Sequence, residues 1–179
     1  MAWSTLFVGP AWAIEIDRAE IEFHGKTYKY AFSSIVDAPH HAVMAVVTDY
    51  ELLAKTNDGM KEAVVLEQYD AENFKRNLTI NQCILLFCVD LVFVEQVRYE
   101  GDKILTTIVP EESSFEAGYA NWEVIKTSAQ QTRITIEASH TPKFWVPPVI
   151  GPFLIKRTFL REVRESSEKI EQLAQQQVQ

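Results

Sequence analysis

Apolar positions in the first part of the chain recur with a period of two. Over 19–23 apolar and polar side chains alternate, His24-Gly25-Lys26 supplies a turn, and Tyr28, Tyr30 and Phe32 resume the alternation. This predicts a β-hairpin or two short edge strands within 14–36. Asp37-Ala38-Pro39 then interrupts the pattern. Proline is tolerated in a first helical turn, where its missing N–H would have no partner, and Asp37 can supply a capping oxygen. Val43, Val46, Val47, Tyr50 and Leu53 follow at three- and four-residue spacing. One short helix is expected to about Asp49 and a second from Glu51, closed by Asn57-Asp58-Gly59.

Between Lys61 and Pro142 the apolar runs 63–66, 74–87, 89–99, 104–109, 115–125 and 132–139 are separated by turn-forming stretches such as Glu100-Gly101-Asp102 and Thr127-Ser128-Ala129-Gln130. Links this short join antiparallel neighbours, because a parallel crossover needs a dozen or more residues, so a meander is expected. The run Ile84-Leu85-Leu86-Phe87-Cys88-Val89 is apolar at every position. Either both faces are covered there or a bulge interrupts the register. After Pro147-Pro148 and Gly151-Pro152, the residues Ile155, Phe159, Val163, Ile170 and Leu173 draw one apolar stripe along a helix lasting to about Gln175. One long helix facing one antiparallel sheet is an α+β domain.

Composition narrows the function classes. The chain has 179 residues, 47% apolar and 23% charged, which is enough to bury a core without a metal or disulfide scaffold. Lys and Arg number 17 against 25 Asp and Glu, a formal charge of -8. Phosphate binding needs a clustered positive surface, so no nucleic-acid partner is expected. No apolar run reaches the length needed to cross a bilayer. Residues 1–13 stand apart from the single domain read over 14–179. Trp3 to Val8 is apolar and Ala11-Trp12-Ala13 has the small-x-small form that precedes signal cleavage, yet no Lys or Arg comes before the run. This is a truncated secretion signal, which would place the protein in the periplasm or outside the cell, or an apolar arm on a cytoplasmic protein.

The order of a strand region, two short helices, six more strands and a long C-terminal helix resembles the helix-grip fold of the START and birch-pollen-allergen (SRPBCC) superfamily, and within it the coenzyme Q-binding, polyketide cyclase/dehydrase branch. Asp37-Ala38-Pro39, Thr48-Asp49-Tyr50-Glu51, Trp122-Glu123-Val124 and the stretch from Pro147 to Pro152 leading into Leu160-Arg161-Glu162-Val163 carry the likeness. The resemblance implies a curved antiparallel sheet of about seven strands wrapped around the C-terminal helix, with a cavity between them for a lipid, isoprenoid quinone or polycyclic product.

Strand parity nominates lining residues, since side chains two apart share a face. Leu91, Phe93, Glu95 and Val97 form one such set, Trp122 and Val124 a second, and Phe159 and Val163 point from the helix stripe. Dry core is the alternative for all of them. Glu95 is the sharpest polar candidate, because an interior carboxylate must be paired, protonated or hydrogen-bonded. It either anchors a polar head group or moves a proton, or else a bulge turns it outward or Arg98 or Arg133 pairs with it.

His40 and His41 are adjacent in a first helical turn and do not share a face, and His140, shortly before Pro142, is placed at the cavity mouth. No metal or cofactor is expected, since no Gly-rich phosphate loop, nucleophile elbow or Cys-x-x-Cys occurs. Cys83 and Cys88 lie on opposite faces of a regular strand, as buried thiols, unless a turn between them brings the sulfurs together in an oxidising compartment. Lys156, Arg157, Arg161 and Arg164 form the dense basic segment, either a peripheral membrane contact or a solvated helix face with i, i+4 pairs from Arg161 to Glu165 and Arg164 to Glu168. Phe144, Trp145 and Val146 suit a membrane interface or a plug that closes the cavity.

These observations support a carrier of a hydrophobic small molecule. Two other classes stay open, a polyketide cyclase or dehydratase using Glu95 or His140, and a module that binds a larger protein complex.

Overall fold

The structure, a computed structural model, describes residues 14–84, 87–146 and 151–178. The apolar N-terminal stretch, and with it the choice between signal and arm, lies outside the described residues. Strands β1 (Glu15–His24) and β2 (Thr27–Val36) form the expected hairpin, turning at Gly25, whose φ of 62° is a conformation that a side chain would strain. Helices α1 (His40–Thr48) and α2 (Tyr50–Ala54) follow. Then come β3 (Met60–Gln68), β4 (Asn73–Ile84), β5 (Phe87–Glu100), β6 (Lys103–Ile108), β7 (Phe115–Lys126), β8 (Thr132–Pro142) and the long helix α3 (Gly151–Gln176).

Among the described residues, eight strands form one antiparallel sheet in the order β1-β2-β8-β7-β6-β5-β4-β3. The meander from β3 to β8 is as the turn signals predict. The pairing of β2 with β8, Tyr28 opposite His140 and Val36 opposite Thr132, joins the N-terminal hairpin to its end. The sheet curves around α3, and the architecture is the helix-grip fold.

Two local expectations are corrected. Asp37 does not cap α1: the N-cap is Pro39 without a side-chain bond, and the Asp37 carboxylate instead accepts from Gln131 Nε2 at 2.9 Å. The backbone N–H of Asp37 donates to Glu171 and its carbonyl accepts from Gln175, which ties the entry of α1 to the end of α3. The capping aspartate is Asp49, whose Oδ1 accepts from the N–H groups of Glu51 and Leu52 at the start of α2.

The second correction concerns the all-apolar run from Ile84 to Val89, whose described residues are neither a doubly covered strand nor a bulge: Ile84 ends β4, and Phe87, Cys88 and Val89 begin the antiparallel β5. Ile84 pairs with Phe87 and Cys83 with Cys88. The two cysteines are exposed and joined in a disulfide across the hairpin rather than buried as thiols on opposite faces. Parity within one strand does not apply once the chain reverses between them.

The dry core lies where α1 and the C-terminal part of α3 cover the sheet. Val43 and Val46 of α1 cluster with Val97 and Val124 of the sheet and Ala174 of α3. Burial of such side chains contributes about 1.5–3 kcal/mol each.

Candidate functional site

The site grows from strand parity carried across the sheet. On β4, Phe74, Arg76, Leu78 and Ile80 share one face, and opposite them on β5 stand Val97, Glu95, Phe93 and Leu91. The same face continues through Ile104, opposite Trp122, then Ile136 and Phe32. Over this concave face runs α3, and between them is a cavity of about 250 Å³. Phe32, Leu78, Ile104, Trp122 and Ile136 form its sheet side, Phe159, Val163 and Ile170 its helix side, with Thr56 and Asn57 at the end of α2.

Of the residues nominated from sequence, Trp122, Phe159 and Val163 line this cavity. Leu91, Phe93, Glu95, Val97 and Val124 share the concave face but are not among its walls. Val97 and Val124 belong to the dry core under α1. Phe93 is covered by Phe115 and His140, with ring centroids 4.6 and 5.5 Å away. Leu91 is half-buried beside Ile80, and Glu95 stands behind Arg76.

Glu95 is buried, at 3% exposure, and its partner is Arg76 rather than Arg98 or Arg133. Arg98 pairs with Glu100 and Arg133 with Asp17. The guanidinium of Arg76 donates through Nε at 2.8 Å and Nη2 at 2.7 Å to one oxygen of Glu95, and Thr106 donates to the other at 2.8 Å. The Thr106 hydroxyl in turn accepts the Ala120 N–H at 3.2 Å. Burial opposes the Arg76 charge, but Glu95, with Tyr50, outweighs it and holds the guanidinium pKa above its ordinary value. Arg76 reaches the cavity wall. Its Nη1 has a long contact of 3.5 Å to the Tyr50 hydroxyl.

Sequence reading missed Arg76. The signal was present in Phe74-x-Arg76-x-Leu78-x-Ile80, one cation within an otherwise apolar parity set.

His140 is buried within β8, not at a mouth. Its ring stacks on Tyr30 at 5.8 Å and meets Phe93 and Phe115 edge-on or tilted. Nδ1 lies 3.3 Å from the Tyr30 hydroxyl, and Nε2 has no hydrogen-bond partner among the described residues. Burial pushes the imidazole pKa below its ordinary value, with Glu95 opposing, and burial followed by the Glu95 charge pushes the Tyr30 phenol up. Gly118 makes the arrangement possible: a Cβ there would come within 2.4 Å of His140 Cδ2 and 2.9 Å of Ile108.

On the outer side of α3, Phe153, Lys156, Arg157, Leu160, Arg161 and Arg164 are all exposed at helical spacing. Arg161 contacts Glu162 at 3.0 Å and Glu165 at 3.9 Å, whereas the expected pair of Arg164 with Glu168 is not formed. Phe144 rests on Phe115 and Trp145 is 78% exposed; neither lines the cavity. Among the described residues no helix is long and apolar enough to cross a membrane.

No protein-family model matches the sequence, and no curated protein matches it. Solved structures do share its architecture. The Zhui aromatase/cyclase from a Streptomyces species aligns with a TM-score of 0.68 at 11% identity, over 86% of this chain and 96% of that one. A START superfamily protein from Mycobacterium smegmatis aligns at 0.64 and 19% identity, over 81% and 98%. The lipid transfer and protein localization domain of human StarD13 aligns at 0.62 and 13% identity, over 87% and 88%. At these identities the likeness is one of fold, the helix-grip architecture described above.

Proposed function

We propose that the protein binds and carries a hydrophobic small molecule between the concave face of the sheet and α3. The observation that carries this reading is the cavity itself, about 250 Å³ and walled mainly by apolar and aromatic side chains with a few polar groups. A cavity of roughly 150 Å³ takes a benzene ring, and drug-sized sites begin near 300 Å³. The space therefore suits a body of one or two rings or a short isoprenoid or acyl chain, more than a diacyl lipid. Affinity comes from apolar burial, at about 25 cal/mol per Å² removed from water. The START-fold structures, among them the StarD13 lipid transfer domain, support the same class of cargo.

Loading needs a route to the ligand source. Phe153 and Leu160 between Lys156, Arg157 and Arg164 on one exposed face of α3 support peripheral contact with an anionic bilayer, where apolar side chains enter the interface and cations meet head groups. The exposed Cys83–Cys88 disulfide supports an oxidising compartment. The cyclase reading has the Zhui aromatase/cyclase in its favour. Its two proton carriers serve it poorly, since both Glu95 oxygens are engaged and His140 stands behind Tyr30.

Extraction of the full-length protein from its own host, followed by mass spectrometry, tests the carrier reading: one recurrent apolar compound near unit occupancy is expected. Trp122→Ala and Phe159→Ala should each lower that occupancy more than helical content. Equal loss of both would return these residues to the structural core and sink the reading.

A further inference from the structure

We infer that Tyr30 offers its hydroxyl proton to the cavity, so that the polar wall formed with Arg76 donates hydrogen bonds and selects apolar ligands carrying an acceptor-only oxygen, such as a ketone. The inference rests on the binding function proposed above and names the chemistry of the ligand's polar end.

One hydrogen is shared between Tyr30 Oη and His140 Nδ1, 3.3 Å apart. If Tyr30 donates it, the neutral imidazole carries its own proton on Nε2, a buried N–H with no acceptor. If Nδ1 donates, Nε2 is left with a bare lone pair. Surroundings decide between the two. His140 is 4% exposed, Nε2 has no partner among the described residues, and the adjoining Cδ2 is pressed against Gly118. Phe93 and Phe115 flank the ring, so an Nε2–H has aromatic side chains beside it and no nitrogen or oxygen acceptor among the described residues. Buried N–H groups are almost never left orphaned, whereas under-used acceptors are tolerated more often.

The favoured tautomer therefore has its proton on Nδ1 and donates to the Tyr30 oxygen. Burial disfavours the imidazolium, which would carry both protons. Tyr30 stays a neutral phenol for the same reason; with Nδ1 as the donor, its own proton has no acceptor among the described residues, and its side chain lines the cavity.

Arg76 contributes in the same sense. Its Nε and Nη2 are spent on Glu95, while Nη1 is held only by the long contact to Tyr50. Because the ion pair is internally neutralised, the wall presents donors without a net charge and suits a carbonyl oxygen better than a carboxylate. An alcohol could accept from the same donors, but its own hydroxyl proton would have to reach an acceptor elsewhere on the wall, such as Glu162 or Ser166.

Two measurements test this on the full-length protein. The ¹⁵N NMR shifts of the His140 imidazole report which nitrogen is protonated: Nδ1 protonated and Nε2 bare is expected, and the reverse tautomer overturns the inference without any substitution. Calorimetric binding of tetralin, 1-tetralol and 1-tetralone, which share one carbon skeleton, tests the selectivity. The ketone should bind roughly tenfold or more tightly than the other two. Tyr30→Phe should remove that preference, bringing the ketone to the affinity of tetralin. A ketone that binds no better than tetralin, or a Tyr30→Phe effect equal on all three, overturns the donor wall while leaving hydrophobic binding intact. Failure of all three to bind overturns the binding reading itself, and the inference with it.

Discussion

Two patches of the same concave face behave differently although their sequence patterns are alike. Under α1, the inward residues Val97 and Val124 are packed dry among Val43 and Val46. Under the middle of α3, the equally apolar Trp122, Ile136 and Leu78 stand around a cavity. The difference lies in the helices above. The α1 surface supplies a compact set of valines, while α3 turns Phe159, Glu162, Val163 and Ser166 toward the sheet. A concave sheet is thus filled or hollow according to its cover, and parity along a strand reports only the floor.

The largest expected effect falls on the seam between the two patches. Glu95→Leu leaves the Arg76 guanidinium buried without its carboxylate and should lower stability by about 3–5 kcal/mol in urea unfolding. Adding Arg76→Met should restore most of the loss. A single variant as stable as wild type would mean that the pair is solvated.

The same truncation placed in each patch compares them directly. Val124→Ala, in the dry core, should cost about 2–3 kcal/mol, whereas Val163→Ala, facing the cavity, should cost about 1 kcal/mol or less. Equal losses by thermal or chemical denaturation would abolish the distinction between filled and hollow. Removing the exposed disulfide by Cys83→Ser with Cys88→Ser affects neither patch. Closing a loop with a sequence separation of 5 is worth up to about 2 kcal/mol, and ligand affinity should be unchanged.

The smallest effect concerns pH. An ordinary histidine has a pKa of 6.5, and burial lowers that of His140 in the folded protein. Between the two values the unfolded chain binds more protons than the native one. The contribution of His140 is therefore complete above about pH 6.5 and is lost as pH falls toward the lowered value, by at most about 1.4 kcal/mol per pH unit. Stability measured against pH should show a shallower acid slope in His140→Gln than in wild type.

Most of the fold was readable because the strands between Lys61 and Pro142, apart from the junction of β4 with β5, are bounded by their own turn chemistry and α3 has an uninterrupted apolar stripe. The floor of the site was readable in kind, since Glu95, Trp122 and Val124 all face inward. The limits of the cavity were not, because they depend on which helix covers which strand, a long-range property. Arg76 as the partner of Glu95 was hidden for the same reason: the two sit on neighbouring strands, Arg76 opposite Glu95, while the nearer arginine in sequence, Arg98, turns to the other side. The cysteines failed differently. Parity was applied across a reversal of the chain, and the apolar run gave no turn residue to mark it.

The pairing of β2 with β8 also governs how the molecule comes to exist. Tyr28 meets its neighbour His140, and Val36 meets Thr132, only after the whole meander has been made. Contacts so distant along the chain slow folding, because the intervening loop must be closed before they are rewarded. While synthesis proceeds, the first hairpin waits with Tyr30 and Phe32 uncovered and with the open edge of β2 ready to pair with another chain. The last strand and the helix after it therefore act as the closing step of assembly. A chain stopped before β8 would leave a ribosome as an aggregation-prone fragment rather than a smaller folded protein.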